Sequence, residues 1–122
     1  MAACRDYDYQ PPKALKCISP REGITDMYRD VLNAGGIPQD GLPAFWWATE
    51  VKPAITGDPK VYIENQGGVP TEWIHKHPFF DDFWEEKRAP YEHINIPILT
   101  CVSFSDVGLH TNGDYRSFMD VK

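Results

Sequence analysis

The chain has few cysteines, no long apolar run and no excess of positive charge, and each absence excludes a class of protein. Its 122 residues include 3 cysteines, without the CxxC spacing common in zinc and redox sites. No stretch approaches the roughly 18 apolar residues of a membrane helix, and the N-terminus lacks the ~7–15-residue apolar stretch of a signal peptide. A net charge of −6 disfavours nucleic acids and anionic membranes as partners. These features predict a cytoplasmic protein.

The sequence also lacks the motif of a self-contained serine hydrolase. It has no GxSxG, and no serine lies at a strand-to-helix elbow, which applies to Ser19, Ser103, Ser105 and Ser117. Cys17 and Cys101 each lie inside an apolar run, where a thiol is expected to be buried and free in the core. A nucleophile is therefore not identified among these residues.

What the chain does have is a globular composition, with 42% apolar and 13% aromatic residues. Short apolar runs at residues 14–19 and 96–104 predict two buried strands. Apolar spacing predicts helices at 22–32 and 78–88, and the i, i+3, i+4 spacing of Tyr115, Phe118 and Met119 predicts a last helix. Residues 37–70 are rich in proline and glycine and should be irregular or briefly helical. Strands alternating with helices favour an α/β fold with a parallel sheet.

Asp106 is the carboxylate best placed for chemistry. It follows the second predicted strand directly, at the sheet edge where catalytic groups gather. It could be a loop aspartate that caps or turns the chain, or the acid of a catalytic triad, which holds a histidine in the correct tautomer. His110 lies too near in sequence to be an obvious partner, and His93 has no partner that the sequence can name.

Histidines and aromatic residues supply two weaker candidate sites. His75 and His77 precede Asp81 and Asp82 with a spacing that a metal could use, although helix capping explains the carboxylates equally well, so no metal is predicted. A second set could line an apolar pocket for an acyl or leaving group, or could belong to the core. Its candidates are Trp46, Trp47, Phe80 and Trp84.

Three stretches resemble one known family. Residues 11–38 (PPKALKCISPREGITDMYRDVLNAGGIP), 77–99 (HPFFDDFWEEKRAPYEHINIPIL) and 103–118 (SFSDVGLHTNGDYRSF) are similar to the CocE/NonD hydrolases, which include cocaine-esterase-like and X-prolyl dipeptidyl-peptidase-like enzymes. These are α/β-hydrolases with a helical cap. The third stretch resembles the family's acid-bearing turn, with Phe104 in place of the usual tryptophan and Asn112 in place of the usual arginine.

The resemblance implies a serine hydrolase acting on a small-molecule ester or on a peptide bond after proline, without a cofactor. Asp106 would orient the catalytic histidine. The family's serine precedes the first stretch and its histidine follows the last, so both are expected outside this chain, which should be inactive alone.

The same resemblance implies a partial α/β-hydrolase fold with two sheet strands. Residues 1–34 would contribute a strand and helix of the core, 35–94 a cap-like insertion, and 95–122 a strand, the acid turn and a helix. Two alternatives stay open. One is a non-catalytic binding module that uses the aromatic cluster, and the other is a small metal-dependent hydrolase that uses His75 and His77. The oligomeric state is not predicted.

Overall fold

The computed structural model describes residues 12–105 and 108–121. Helices α1 (Met27–Leu32), α3 (Pro59–Asn65), α4 (Pro70–Lys76), α5 (Asp82–Lys87) and α6 (Thr111–Asp120) are joined by loops. Helix α2 consists of the consecutive segments Gly41–Trp46, Trp47–Val51 and Lys52–Ala54. Short 3₁₀ turns occupy Ala34–Gly36 and Tyr91–His93. In the described part of the chain, no helix is both long and apolar enough to span a membrane.

Helix α1 is a π-helix with defined ends. It begins after Asp26, whose side chain accepts a hydrogen bond from the Arg29 amide, and it ends at Asn33. Gly35 and Gly36 follow with φ angles of 65° and 81°, a region that favours glycine and breaks the helix. The helix predicted from residue 22 thus starts five residues later. The intervening loop instead surrounds a buried carboxylate of α1, which local periodicity does not indicate.

The predicted irregular or briefly helical region is in fact a series of short helices. The backbone of α2 stays helical across Trp46, Trp47, Val51 and Lys52, so its three segments form one rod. Asp58 caps α3 by accepting a hydrogen bond from the Lys60 amide, and Pro59 takes the first helical position. Proline therefore starts a helix here, which explains why a proline-rich stretch is helical.

The core lies between α1, α4 and α5. Its most deeply buried apolar residues are Val31, Leu32, Trp73, Ile74 and Trp84. Because α1 lies in the predicted core unit and the two other helices lie in the predicted cap-like insertion, these two units share one apolar interior. Helix α5 begins after Asp81, whose side chain accepts from the Trp84 amide, and not at Pro78 as predicted.

The predicted α/β fold with two sheet strands is wrong. Across residues 12–105 and 108–121 there is no strand, only two isolated parallel bridges, at Ile18–Ile98 and Arg21–Cys101. Both bridges have the same register, and three backbone hydrogen bonds of 3.0–3.4 Å join the two segments. Two lone segments without a third make a marginal sheet, and prolines within them supply no amide donor.

The apolar runs behind that prediction are not covered on both faces. Leu99 is 66% exposed, whereas a strand inside a parallel sheet would be buried on both sides. The prediction of a buried thiol is also wrong for Cys17, which is exposed, while Cys101 is half-buried; both are free. Local apolarity predicted two strands, but a strand also needs a ladder of paired neighbours, and the described residues supply only two isolated bridges.

Candidate functional site

The acid turn, residues 103–111, was predicted to carry the catalytic acid. Asp106 and Val107 lie outside the described residues, so the position of that carboxylate is not part of the structure. The two ends of the turn are described, and the Thr111 hydroxyl donates a hydrogen bond to the Ser103 carbonyl. A second hydrogen bond of 2.8 Å joins the hydroxyls of Ser103 and Ser105. These contacts close the turn at its base.

An apolar cavity of about 270 Å³ lies beside this turn. Helices α1 and α2, α3, α4 and the end of the turn all contribute to its wall. The lining residues are Ile24, Met27, Val31, Leu32, Leu42, Pro43, Trp46, Trp47, Val51, Tyr62, Gln66, Pro70, Trp73, Leu109 and His110. Because Leu109 and His110 come three and four residues after Asp106, the cavity and the predicted acid belong to the same region of the chain.

Helical spacing explains how the cavity wall is built. Trp47 and Val51 lie four residues apart on α2 and so share one face of the rod. The Trp47 ring contacts Tyr62 of α3 with ring centroids 6.3 Å apart. On the opposite side, Val31 and Leu32 of α1 form the wall shared with the core. The cavity is thus a gap between the core and α2, lined mainly by apolar side chains and able to accept an apolar group.

The four predicted pocket residues separate into two groups. Trp46 and Trp47 line the cavity. Trp84 lies instead in the core at 1% exposure, and its indole donates a hydrogen bond of 2.9 Å to the His77 carbonyl. Phe80 packs edge-on against Tyr28, and the Arg29 guanidinium lies 3.8 Å from its ring centroid. Neither Phe80 nor Trp84 is among the residues that line the cavity.

The histidines of the weak metal motif lie apart. His75 is 3.8 Å from an oxygen of Asp40, whereas His77 hydrogen-bonds to Asp81 at 2.6 Å and stacks on Phe83. Among the described residues, no three metal-ligating side chains come together. The hydrogen bond from His77 lowers the pKa of the Asp81 carboxyl. The His77–Asp81 pair therefore stabilises the start of α5, outside the cavity.

A second group of ion pairs also has a structural role. Arg88 contacts Glu85 at 2.9 Å and Glu92 at 2.7 Å, joining the end of α5 to the following 3₁₀ turn. Hydrogen bonds from Arg88 lower the pKa of Glu92 to about 2. Glu92 thus keeps its charge over the physiological pH range, and the pair holds the chain where it leaves α5.

Sequence reasoning missed several residues of this region. Tyr62 of α3 and Gln66, the residue directly after this helix, line the cavity, and the proline-rich composition did not predict the helix. The capping pattern Asp58–Pro59 was the available signal for that helix. Asp30 and Asp114 are each 1% exposed, and no local pattern shows that these two carboxylates are buried.

Comparison with solved structures identifies what this arrangement is similar to. A CocE/NonD family hydrolase from Staphylococcus aureus, solved at 1.95 Å, matches 90% of this chain with 37% sequence identity and a TM-score of 0.65. The resemblance to the CocE/NonD hydrolases is therefore confirmed. A second crystal structure of the same S. aureus hydrolase matches with the same identity and TM-score.

The likeness to the CocE/NonD hydrolases covers a limited part of those enzymes. The chain spans 18% of the first solved chain and 19% of the second. No family model and no curated protein matches the chain. The chain is thus related to a segment of a CocE/NonD hydrolase, and most of the enzyme's length has no counterpart in it.

Proposed function

We propose that the chain supplies the triad acid, Asp106, and one wall of an apolar substrate pocket to a serine hydrolase. The reaction is hydrolysis of an ester or of a peptide bond, in which a serine attacks the carbonyl and a histidine accepts the serine proton. Asp106 accepts a hydrogen bond from that histidine and stabilises its charged form. The serine and the histidine come from segments other than these 122 residues.

The observation that carries this proposal is the apolar cavity that ends at Leu109 and His110. These residues end the turn that resembles the family's acid turn, so an apolar group held by α2 and α3 would contact the described end of that turn. The 37% identity to a CocE/NonD hydrolase over 90% of the chain supports the hydrolase relationship on which this proposal rests. In this proposal residues 35–94 form a cap that covers the substrate's apolar part.

The first test replaces the aligned segment of the S. aureus hydrolase with this chain. The chimera should hydrolyse a small activated ester such as p-nitrophenyl butyrate, whereas the 122-residue chain alone should give no rate above that of buffer. A triad without its serine and histidine loses several orders of magnitude in turnover, which explains the second result. Both proteins are assayed by release of p-nitrophenolate.

A folded chimera without activity would contradict the proposal. Circular dichroism and size-exclusion chromatography show whether the chimera is folded, and the unaltered S. aureus enzyme serves as the positive control. Hydrolysis by the isolated chain that survives repurification would contradict the assignment of the serine and histidine to other segments.

The cavity also supports a second candidate function, a non-catalytic binding module, because mainly apolar side chains, Trp46 and Trp47 among them, line a gap of about 270 Å³. Trp46 is 45% exposed, so replacing it removes a contact surface without opening the core. We expect Trp46→Ala to weaken binding of an apolar fluorescent dye such as 1-anilinonaphthalene-8-sulfonate by about tenfold, since one aromatic contact contributes roughly 1–1.5 kcal/mol.

The matched control is Phe79→Ala, which removes another exposed aromatic ring, 79% exposed and away from the cavity lining. Dye titrations followed by fluorescence measure both dissociation constants. Equal weakening by the two variants would show that the dye does not occupy the cavity. Binding by the isolated chain together with an inactive folded chimera would favour the binding module over the hydrolase.

A further inference from the structure

The helix that follows the acid turn is held by polar and small side chains. The buried residues of α6 are Thr111, Gly113, Asp114 and Ser117. Its three large apolar side chains point outward, at 58% exposure for Tyr115, 68% for Phe118 and 63% for Met119. The buried face of α6 makes directional hydrogen bonds where other helices pack apolar side chains. The position of α6 therefore depends on a few specific contacts.

The carboxylate of Asp30 makes the most extensive of these contacts. Its side chain is fully buried. Oδ2 accepts hydrogen bonds from the amides of Thr25 and Asp26 and from the Thr25 hydroxyl, at 2.8–3.1 Å. Oδ1 accepts from Nε of Arg116 on α6, at 3.1 Å. Asp30 therefore orders the loop before α1 with one oxygen and holds α6 with the other.

A close backbone approach supports the same attachment. A Cβ atom on Gly113 would lie 2.7 Å from the Gly23 carbonyl oxygen and 2.9 Å from Oδ2 of Asp30. Next to it, Oδ1 of Asp114 accepts a hydrogen bond of 3.1 Å from the Gly23 amide. Only glycine fits at position 113 without displacing α6, so the first turn of this helix lies directly against the loop that Asp30 orders.

That first turn of α6 is also the end of the acid turn. The Thr111 hydroxyl, one helical turn before Asp114, donates to the Ser103 carbonyl on the other side of the acid turn. A shift of α6 would therefore move one end of the turn relative to the cavity. The core residues Trp73, Ile74 and Trp84 lie on α4 and α5, outside this attachment.

We propose that Asp30 and Arg116 are positioning residues that determine the position of the acid turn relative to the apolar cavity. Asp30 acts through Arg116 and the loop at Gly23–Asp26, and neither residue touches the substrate. The catalytic part of this role rests on the proposed function of Asp106. The structural part of the role is that the ion pair determines the positions of α6 and of the turn, and this part does not rest on the proposed function.

The structural part is tested on the 122-residue chain by NMR. In Arg116→Met, which keeps a chain of similar length up to the position of Nε and removes the charge, the amide signals of Gly108, Leu109 and His110 should shift. Exchange of the Asp114 amide, which donates to the His110 carbonyl, should accelerate by about tenfold. The indole signals of Trp73 and Trp84 should stay in place. Arg116→Lys should restore part of the wild-type spectrum, since a single charged donor can still reach Oδ1.

Two further variants keep the result decisive. Gly113→Ala should produce the same changes as Arg116→Met by steric displacement, and more strongly. Lys76→Met removes another ion-paired cation, one that contacts Glu72 within α4 and neither α6 nor the Gly23–Asp26 loop, and should leave the turn signals unchanged. Wild-type spectra for both Arg116→Met and Gly113→Ala would overturn the proposal. So would equal shifts in the turn and in the core indoles, which would show a global effect.

The catalytic part is tested in the chimera with the S. aureus enzyme. Arg116→Met should lower kcat by up to about 100-fold, the effect of misplacing a catalytic group by about 1 Å, with little change in KM. Arg116→Lys should recover part of that loss. Unchanged kcat would overturn the catalytic role. If Asp106→Asn is silent in the same chimera, the proposed function fails, while the NMR result on the chain still decides whether Asp30 and Arg116 hold the turn.

Discussion

Asp106→Asn in the chimera with the S. aureus hydrolase is expected to lower kcat by about 10³- to 10⁴-fold. An asparagine of the same size can still hydrogen-bond to the catalytic histidine, but it favours the wrong tautomer and cannot stabilise the positive charge that forms on the ring. The pocket and the serine are unchanged, so KM should move little. Steady-state kinetics with p-nitrophenyl butyrate measure both constants.

Asp120→Asn is the matched control for this experiment. It makes the same chemical change on an exposed aspartate at the end of α6. Its kcat should stay within about twofold of the chimera's, and both variants should unfold at the same temperature, because neither change alters apolar packing. A normal kcat for Asp106→Asn would show that another residue is the triad acid.

Trp84→Ala is expected to have the largest effect on folding. The side chain is 1% exposed and lies against Tyr28 and Phe83, with ring centroids 5.3 Å and 5.1 Å away. Removing a buried tryptophan costs about 3–5 kcal/mol, which is a large part of a total stability of roughly 5–15 kcal/mol. The hydrogen bond to the His77 carbonyl is lost as well. Urea unfolding followed by circular dichroism measures the change.

Phe79→Ala is the comparison for stability. Its ring is 79% exposed, and its removal should change the free energy of unfolding by less than about 0.5 kcal/mol. Trp84→Phe should fall between the two, because it keeps a ring in the cluster and leaves the His77 carbonyl without the indole donor. A loss below about 1 kcal/mol for Trp84→Ala would show that the core does not depend on this side chain.

Trp84 and Trp46 show that the sequence pattern could not distinguish a core residue from a cavity-lining one. Both belong to dense aromatic segments, and for both the sequence left open whether they line a pocket or belong to the core. Trp84 is buried between α1 and α4, whereas Trp46 lies on α2 and borders the cavity. Aromatic composition predicts that a residue packs against something. Whether that neighbour is core or cavity depends on how separate helices meet.

In α6, too, the spacing of residues predicted the helix but not which of its faces is buried. The spacing of Tyr115, Phe118 and Met119 correctly indicated a helix, yet these side chains are exposed and the polar face is buried. Buried carboxylates need donors, and those of Asp30 and Asp114 come largely from backbone amides of the loop between Gly23 and Asp26. The Gly23 amide lies 91 residues from Asp114, and Arg116 lies 86 residues from Asp30, so periodicity within α6 could not reveal these partners.

Residues close together in the chain were enough to predict helices at α1, α5 and α6, a capping role for Asp81 and the resemblance to the CocE/NonD hydrolases, because each of these depends on local sequence. The cap at Asp26 was not among them, since this residue lay inside the helix predicted from residue 22. The tertiary structure alone decided that the two apolar runs meet only in isolated bridges, that α2 and α3 enclose a cavity beside Leu109 and His110, and that Asp30 holds α6 through Arg116. Those features depend on contacts between distant segments, whose energy is set by burial and hydrogen-bond geometry and not by local pattern.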